Sequence, residues 1–179
     1  MEILVQNIFN ALQWGSFYAL IALGYTLVYG VLLLINFAHG DIFMVGAYIA
    51  FFLTTFFLGE YGVIAPGSLA GVTILMLAVP LTMILTSMVG VTLERVAYRP
   101  LRDKGAHRLY VVITALMCGL ILENGNLALL GASRKKFPEL LEKTVWTFGN
   151  VSVTNLKVMV IFAALLVFLF LQFVVTRTK

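Results

Sequence analysis

Long apolar runs broken by short polar stretches dominate the chain, and their lengths set its architecture. Five segments carry almost no charge: about residues 8–35, 42–58, 69–93, 109–130 and 158–175. A helix needs roughly 20 apolar residues to cross a bilayer core, and these runs reach or approach that length. The runs are continuously apolar and do not alternate with a period of two, so they predict helices and not the strands of a membrane barrel. The expected fold is an all-α integral membrane protein of about five transmembrane helices.

Between the first two runs lies a polar island, Asn36-Phe37-Ala38-His39-Gly40-Asp41. No formally charged side chain occurs from Ile3 to Gly40, or from Ile42 to Leu58. Polar groups in hydrocarbon are expensive, so an island there serves as a helix cap, a packing contact or part of a pathway. Asn36 and Gly40 tolerate the left-handed backbone of a helix end, and Asp41 suits the N-cap of the next helix. A pathway role for Asn36, His39 and Asp41 is the second reading. A metal pair of His39 and Asp41 is the third, weakened by the lack of further ligands nearby. The residue types favour capping, and on that reading Asp41→Ala impairs folding or assembly as much as transport. The island predicts a polar break or re-entrant junction near residues 36–41.

Two further features fall inside the apolar runs. Glu123 and Asn124, with Asn126, stand near one end of the fourth segment, either at the interface or as a buried pathway pair. Pro80 interrupts the third segment, where it should bend the helix, and Thr82, Thr86 and Ser87 could satisfy the carbonyls it frees. Small residues Ala11, Gly15 and Ala19 recur every four positions in the first segment and predict a face for close helix packing.

The residues outside the runs fix the rest. Hydrophobic residues make up 61% of the 179 residues and charged ones 11%, and the mean hydropathy is +1.02, which excludes an ordinary soluble domain. The segment 94–108 holds Arg95, Arg99, Arg102, Lys104 and Arg108. With Arg177 and Lys179 this gives seven basic residues on one side, against five in the longer loop 131–157. That balance favours a cytoplasmic 94–108 loop and tail, an extracytoplasmic 131–157 loop with Trp146 at the interface, and an external N-terminus if all five segments cross. If the first segment is two half-helices, or the island is re-entrant, the N-terminus lies inside. The basic residues flank membrane segments and so do not suggest nucleic-acid binding. The basic, aromatic stretch around Arg95, Tyr98, Arg99 and Arg102 reads either as a solvated face or as a docking surface for a cytoplasmic partner. Cys118 is the only cysteine and Glu2 occupies the start of the chain, so no intrachain disulfide and no cleaved signal peptide are expected. No phosphate loop, H-E-x-x-H, paired-cysteine zinc pattern or G-x-S-x-G elbow occurs, so neither an ATPase nor a hydrolase is expected, and no cofactor or metal.

The run Gly15-Ser16-Phe17-Tyr18-Ala19-Leu20, continuing through Gly24-Tyr25-Thr26-Leu27-Val28-Tyr29-Gly30, is followed by Asn36-Phe37-Ala38-His39-Gly40-Asp41 and Gly46-Ala47-Tyr48. Together with Glu94-Arg95-Val96-Ala97-Tyr98-Arg99-Pro100-Leu101-Arg102 and Phe137-Pro138, these motifs closely resemble the LivH-type permease of branched-chain amino acid ABC importers. The resemblance covers most of the chain. It implies a cytoplasmic (inner) membrane location and an incomplete ABC importer permease fold. The implied partners are a second, LivM-like permease subunit, two cytoplasmic ABC ATPases and an extracytoplasmic solute-binding protein, within the lipid bilayer. Members of the family are longer, so the chain is expected to correspond to their N-terminal part, with the ATPase-coupling segment beyond Lys179. Urea and short-amide permeases share much of the pattern and remain the alternative substrate class. Glu123 stands where many relatives carry an uncharged amide, which argues against a pathway role for it. Two rival readings from other classes are an ATPase-independent secondary transporter or channel, and an inert membrane fragment.

Overall fold

The computed structural model describes residues 2–33, 35–61, 67–148 and 151–177. Among the described residues, five helices are long and apolar enough to cross a membrane. The elements run α1 (Glu2–Leu32), α2 (His39–Tyr61), α3 (Leu69–Leu93), a π turn (Glu94–Tyr98), α4 (Arg99–Asp103), α5 (Arg108–Leu130), strands β1 (Val145–Phe148) and β2 (Val151–Thr154), and α6 (Asn155–Arg177). The tail cation Lys179 and residues 62–66 of the stretch joining α2 to α3 lie outside the described residues.

The sequence-predicted segments correspond to these helices with some differences at their ends. α1 is a single helix of 31 residues, not two halves. Its end is set by Leu33, a non-glycine residue in the left-handed region at φ 52°, whose N–H returns to the Tyr29 carbonyl at 2.8 Å. The caps expected at Asn36, Gly40 and Asp41 are therefore distributed differently. Leu33 takes the left-handed position, Gly40 sits inside the first turn of α2, and Asp41 lies in that turn without being its N-cap.

The stretch 94–108 is mostly helix. α3, the π turn and α4 form a continuous helical run of 35 residues from Leu69 to Asp103. At 1.5 Å per residue such a run reaches about 50 Å, longer than the roughly 30 Å hydrocarbon core, so its basic end extends into the headgroup region. The proline inside it, Pro80, frees the Met76 carbonyl by position. Of the three hydroxyls expected to compensate, only Ser87 bonds backbone, donating to Ile84 at 2.7 Å, whereas Thr82 and Thr86 do not.

The chain divides into two compact units, residues 1–27 with 143–179, and residues 28–142. In the first, β1 and β2 form an antiparallel hairpin pairing Val145 with Thr154 and Trp146 with Val153. Gln6 near the start of α1 binds the Ser152 backbone twice: its Nε2 donates to the carbonyl at 3.1 Å and its Oε1 accepts from the N–H at 2.8 Å. Lys157 Nζ donates to Asn10 Oδ1 at 2.7 Å. These bonds place the first turns of α1 at the same end as the hairpin.

In the second unit, α2 lies against α3 and α5. The buried positions on α3 are Gly71, Ile74 and Ala78, and those on α5 are Val111, Ala115 and Gly119. Both stripes follow helical spacing and each includes two small residues, Gly71 and Ala78 on α3 and Ala115 and Gly119 on α5, which let helix backbones approach closely in a membrane. Thr54 of α2 is fully buried and satisfies itself through the Ala50 and Phe51 carbonyls at 2.8 and 2.9 Å. The small-residue face predicted on α1 is different: Ala11, Gly15 and Ala19 are exposed, and a methyl group at Gly15 would meet nothing within 4 Å.

One turn locks the far end of this unit. Gly67 holds φ 79°, its N–H donates to the Leu140 carbonyl at 3.0 Å, and a methyl there would lie 3.0 Å from Glu142 Cβ. Both the backbone and the space require glycine. Gly67→Ala is expected to lower stability by about 1–3 kcal/mol, readable as a depressed melting temperature in detergent; an unchanged melting temperature would contradict this account.

Candidate functional site: a groove between α2 and α3

The polar island is tied to the end of α3. Asn36 Oδ1 accepts from the Ala38 N–H at 3.2 Å, and its backbone carbonyl accepts from the His39 N–H at 3.1 Å. This asparagine turn launches α2. The same Oδ1 accepts from the Tyr98 hydroxyl at 2.9 Å, across 62 residues of sequence. The island and the 94–103 stretch therefore lie at one end of the unit.

Tyr98 is buried, together with Val111 and Ala115, and Ala97, Leu101 and Cys118 pack around them. It faces inward, unlike its neighbours Arg95, Arg99 and Arg102, which are exposed. Of the four residues read from sequence as a docking surface, Tyr98 is thus part of the interior. Arg99 pairs with Asp103 at 3.6 Å and Arg102 with Glu94 at 2.7 Å. Exposed pairs of this kind contribute little to stability, about 0–1 kcal/mol each.

Asp41 projects from the first turn of α2 onto Gly119 of α5. A methyl group at position 119 would run into Asp41 Oδ2 and stand 3.4 Å from its Cγ and 3.6 Å from the Ala38 Cα. The carboxylate is accommodated because position 119 has no side chain.

Between the first half of α2 and the second half of α3 runs an open groove of about 730 Å³. Apolar walls come from Val28, Ile42, Phe43, Ala47 and Met83; Asn36, His39, Thr82, Thr86, Ser87, Glu94 and Tyr98 add polar groups. Gly46 narrows one side, where a methyl would sit 2.9 Å from Thr86 Oγ1. The hydroxyls of Thr82 and Thr86 are buried and have no hydrogen-bond partner among the described residues. A buried, unsatisfied hydroxyl costs about 1–3 kcal/mol.

Of the residues singled out from sequence, Asn36 and His39 line this groove, while Asp41 turns to α5. Glu123 and Asn124 do not join it. Both are exposed on α5, and the Asn124 amide donates to the Leu120 carbonyl at 2.8 Å. Sequence reasoning missed Thr82, Thr86, Glu94 and Tyr98 as members of one site. The available signal was the spacing of four from Thr82 through Thr86, Gly90 and Glu94 to Tyr98, which repeats polar or small residues along one helical strip.

Residues 7–179 match the family described as the branched-chain amino acid transport system permease component. The chain belongs to this family. Among curated relatives, it is 36% identical to the high-affinity branched-chain amino acid transport system permease protein BraD of Pseudomonas aeruginosa, over 98% of this chain and 56% of that protein. It is 34% identical to LivH of Escherichia coli K12 and 33% identical to LivH of Salmonella typhimurium, over 82% of this chain and 44% of each relative. The chain thus spans about half the length of the curated relatives it matches. No solved structure matches it significantly. As a branched-chain permease family member with five membrane-spanning helices, it is a multi-pass protein of the bacterial inner membrane. The groove and the Asn36–Tyr98 bond are therefore features of a member of this family.

Proposed function

We propose that this chain forms part of the translocation pathway of an ATP-driven importer of leucine, isoleucine, valine or closely related amino acids. The observation that carries the reading is the family match across residues 7–179, joined by curated relatives named for that transport. The chain itself holds no ATP-binding motif, so hydrolysis is assigned to two cytoplasmic ABC ATPases. A second, LivM-like permease subunit completes the pathway, and an extracytoplasmic binding protein delivers the solute.

The proposed orientation puts the N-terminus and the β hairpin outside, with the island and residues 94–108 in the cytoplasm. Supporting it, Asn36 and Tyr98 meet at one end of the second unit, and Gln6 meets Ser152 in the first. An odd number of crossings from an external start also delivers Arg177 to the cytoplasmic side, in line with the excess of basic residues there. The exposed Arg95, with Arg99 and Arg102 beside it, is the surface offered to a cytoplasmic partner.

The test is uptake by inside-sealed membrane vesicles containing this chain and its companion subunits. Labelled leucine should accumulate only when ATP and the binding protein are present, and an uncoupler should leave accumulation intact. Uptake that needs no ATP, or collapses with the uncoupler, would sink the proposal.

A further inference from the structure

The α2/α3 groove is lined by several polar residue types, yet the surface it presents is almost wholly hydrocarbon. The reason lies in where the polar atoms are used. The Thr82 and Thr86 hydroxyl oxygens are buried, that of Thr86 against Gly46 of α2. Ser87 donates to the Ile84 carbonyl, Tyr98 donates to Asn36 Oδ1, and Glu94 is held by Arg102. What remains open is apolar: Phe43 and Met83 on the rim are 57% and 68% exposed. A polar solute would lose its hydration there for little return, whereas a hydrocarbon chain loses nothing.

Two further features select the occupant. The helices touch along the groove, since a methyl on Gly46 would sit 2.9 Å from Thr86 Oγ1. The groove is therefore a crevice between packed helices, which an acyl chain can enter but a third helix, roughly 10 Å across, would only overlie. From Thr82 to Glu94 the rise is about 18 Å, close to the depth of one leaflet, half of a hydrocarbon core roughly 30 Å thick. At the Glu94 end the charge is positive: residues 94–108 hold five basic side chains against two acidic ones. Arg95 is exposed and forms no ion pair among the described residues. Basic clusters beside membrane helices attract anionic headgroups, and arginine can meet a phosphate with two N–H groups at once.

We propose that the α2/α3 groove seats an acyl chain of an anionic phospholipid, whose headgroup phosphate lies beside Arg95 and Arg99. The inference goes beyond the transport reading and does not depend on which solute is carried. The experiment places the chain in nanodiscs of phosphatidylethanolamine with a minor share of phosphatidylglycerol that bears a diazirine in one acyl chain, and maps crosslinks by peptide mass spectrometry. Peptides containing Phe43 or Met83 should be labelled well above the peptide containing Phe170 of α6, a phenylalanine of similar exposure. The same diazirine chain on phosphatidylethanolamine should label them about fivefold less. The double variant Arg95→Gln, Arg99→Gln should bring the phosphatidylglycerol probe down to that level with an unchanged melting temperature. Gly90→Leu fills the groove: Gly90 lines it, and an added methyl there meets nothing within 4 Å. Leucine is also the better helix former. The variant should melt no lower than the parent, while labelling at Phe43 and Met83 falls at least about fivefold and labelling at Phe170 holds.

Labelling spread evenly over exposed peptides, or equal for the two headgroups, would overturn the proposal. So would labelling that survives Gly90→Leu, or a preference for phosphatidylglycerol that the arginine variant keeps. Loss of groove labelling once the companion subunits are added would make the groove a protein contact and overturn it as well. If Gly90→Leu melts below the parent, the arginine variant decides alone, since it leaves the groove as it is. The readout is lipid contact and not uptake, so its failure leaves the transport reading standing, and failed leucine uptake leaves the lipid seat standing.

Discussion

Leucine in place of Gly119 should destabilise the second unit by about 3 kcal/mol, near the upper end for overpacking a close contact. The reason is local. Ala38 and the Asp41 carboxylate of α2 already occupy the space a side chain would need, and the first methyl alone meets Asp41 Oδ2. Alanine there should be milder, about 1 kcal/mol, because a carboxylate tip can turn aside whereas the Ala38 backbone cannot. The contrast is Gly125, six residues along the same helix, where an added methyl meets nothing within 4 Å. Gly125→Ala should be neutral or stabilising by up to about 1 kcal/mol, since alanine is the better helix former. Thermal melting in detergent, read by fluorescence-detected size exclusion, separates the two sites. Equal melting temperatures for Gly119→Leu and the parent would show that α2 and α5 do not meet at this point.

Truncating Tyr98 to alanine should be comparably damaging, at about 3 kcal/mol. Its ring fills a buried cluster with Val111 and Ala115, and its hydroxyl reaches Asn36 Oδ1 at 2.9 Å. Tyr98→Phe keeps the ring and should lose only about 1 kcal/mol, because Asn36 Oδ1 retains its bond from the Ala38 N–H. Hydrogen bonds between membrane helices average about 0.6 kcal/mol in double-mutant cycles, and a cycle of Tyr98→Phe with Asn36→Ala should return a coupling of that order. A Tyr98→Ala protein as stable as the parent would show that the cluster does not hold the α3 end in place.

Much of this architecture was legible in the sequence. Hydropathy alone locates the five helices, because uncharged runs of this length have no other use in a chain so poor in charge. The ends were harder. Helix α1 stops at Leu33 in a left-handed backbone that no local propensity favours, while Asn36 and Gly40, which tolerate that conformation, are used elsewhere. The hairpin was overlooked although its signal was present: Val145-Trp146-Thr147-Phe148 and Val151-Ser152-Val153-Thr154 flank Gly149-Asn150, β-forming residues around a two-residue turn pair.

The candidate site was partly legible. Asn36 and His39 stood out because a polar island among apolar residues is conspicuous. Thr82 and Thr86 did not, since threonine in a membrane helix ordinarily satisfies itself, and only the three-dimensional neighbourhood shows that these two do not. Tyr98 looked like part of a basic surface because its sequence neighbours are arginines; its bond to a residue 62 positions away lies beyond any local pattern. Small residues at spacing four pointed to Ala11, Gly15 and Ala19, which are exposed, whereas at the same spacing Val111 and Ala115 are buried with Tyr98 and Gly119 lies against Asp41. The motif is common enough that it marks candidates without choosing among them.

The π turn at Glu94–Tyr98 sets the rotational phase of everything beyond it. In an uninterrupted α-helix four residues advance about 400°, so each step of four along the strip from Thr82 to Glu94 drifts about 40° further around the axis. The wider π turn completes close to one revolution in the same four residues, and there the Arg99 N–H reaches back five residues to the Glu94 carbonyl. Tyr98 is thereby kept near the angular position of Glu94, turned toward Asn36, while the arginines remain outside. Phase at this end of α3 is consequently a property of residue count. Adding or removing one residue between Gly90 and Arg99 would swing the hydroxyl away from its acceptor with every side chain of the site still present.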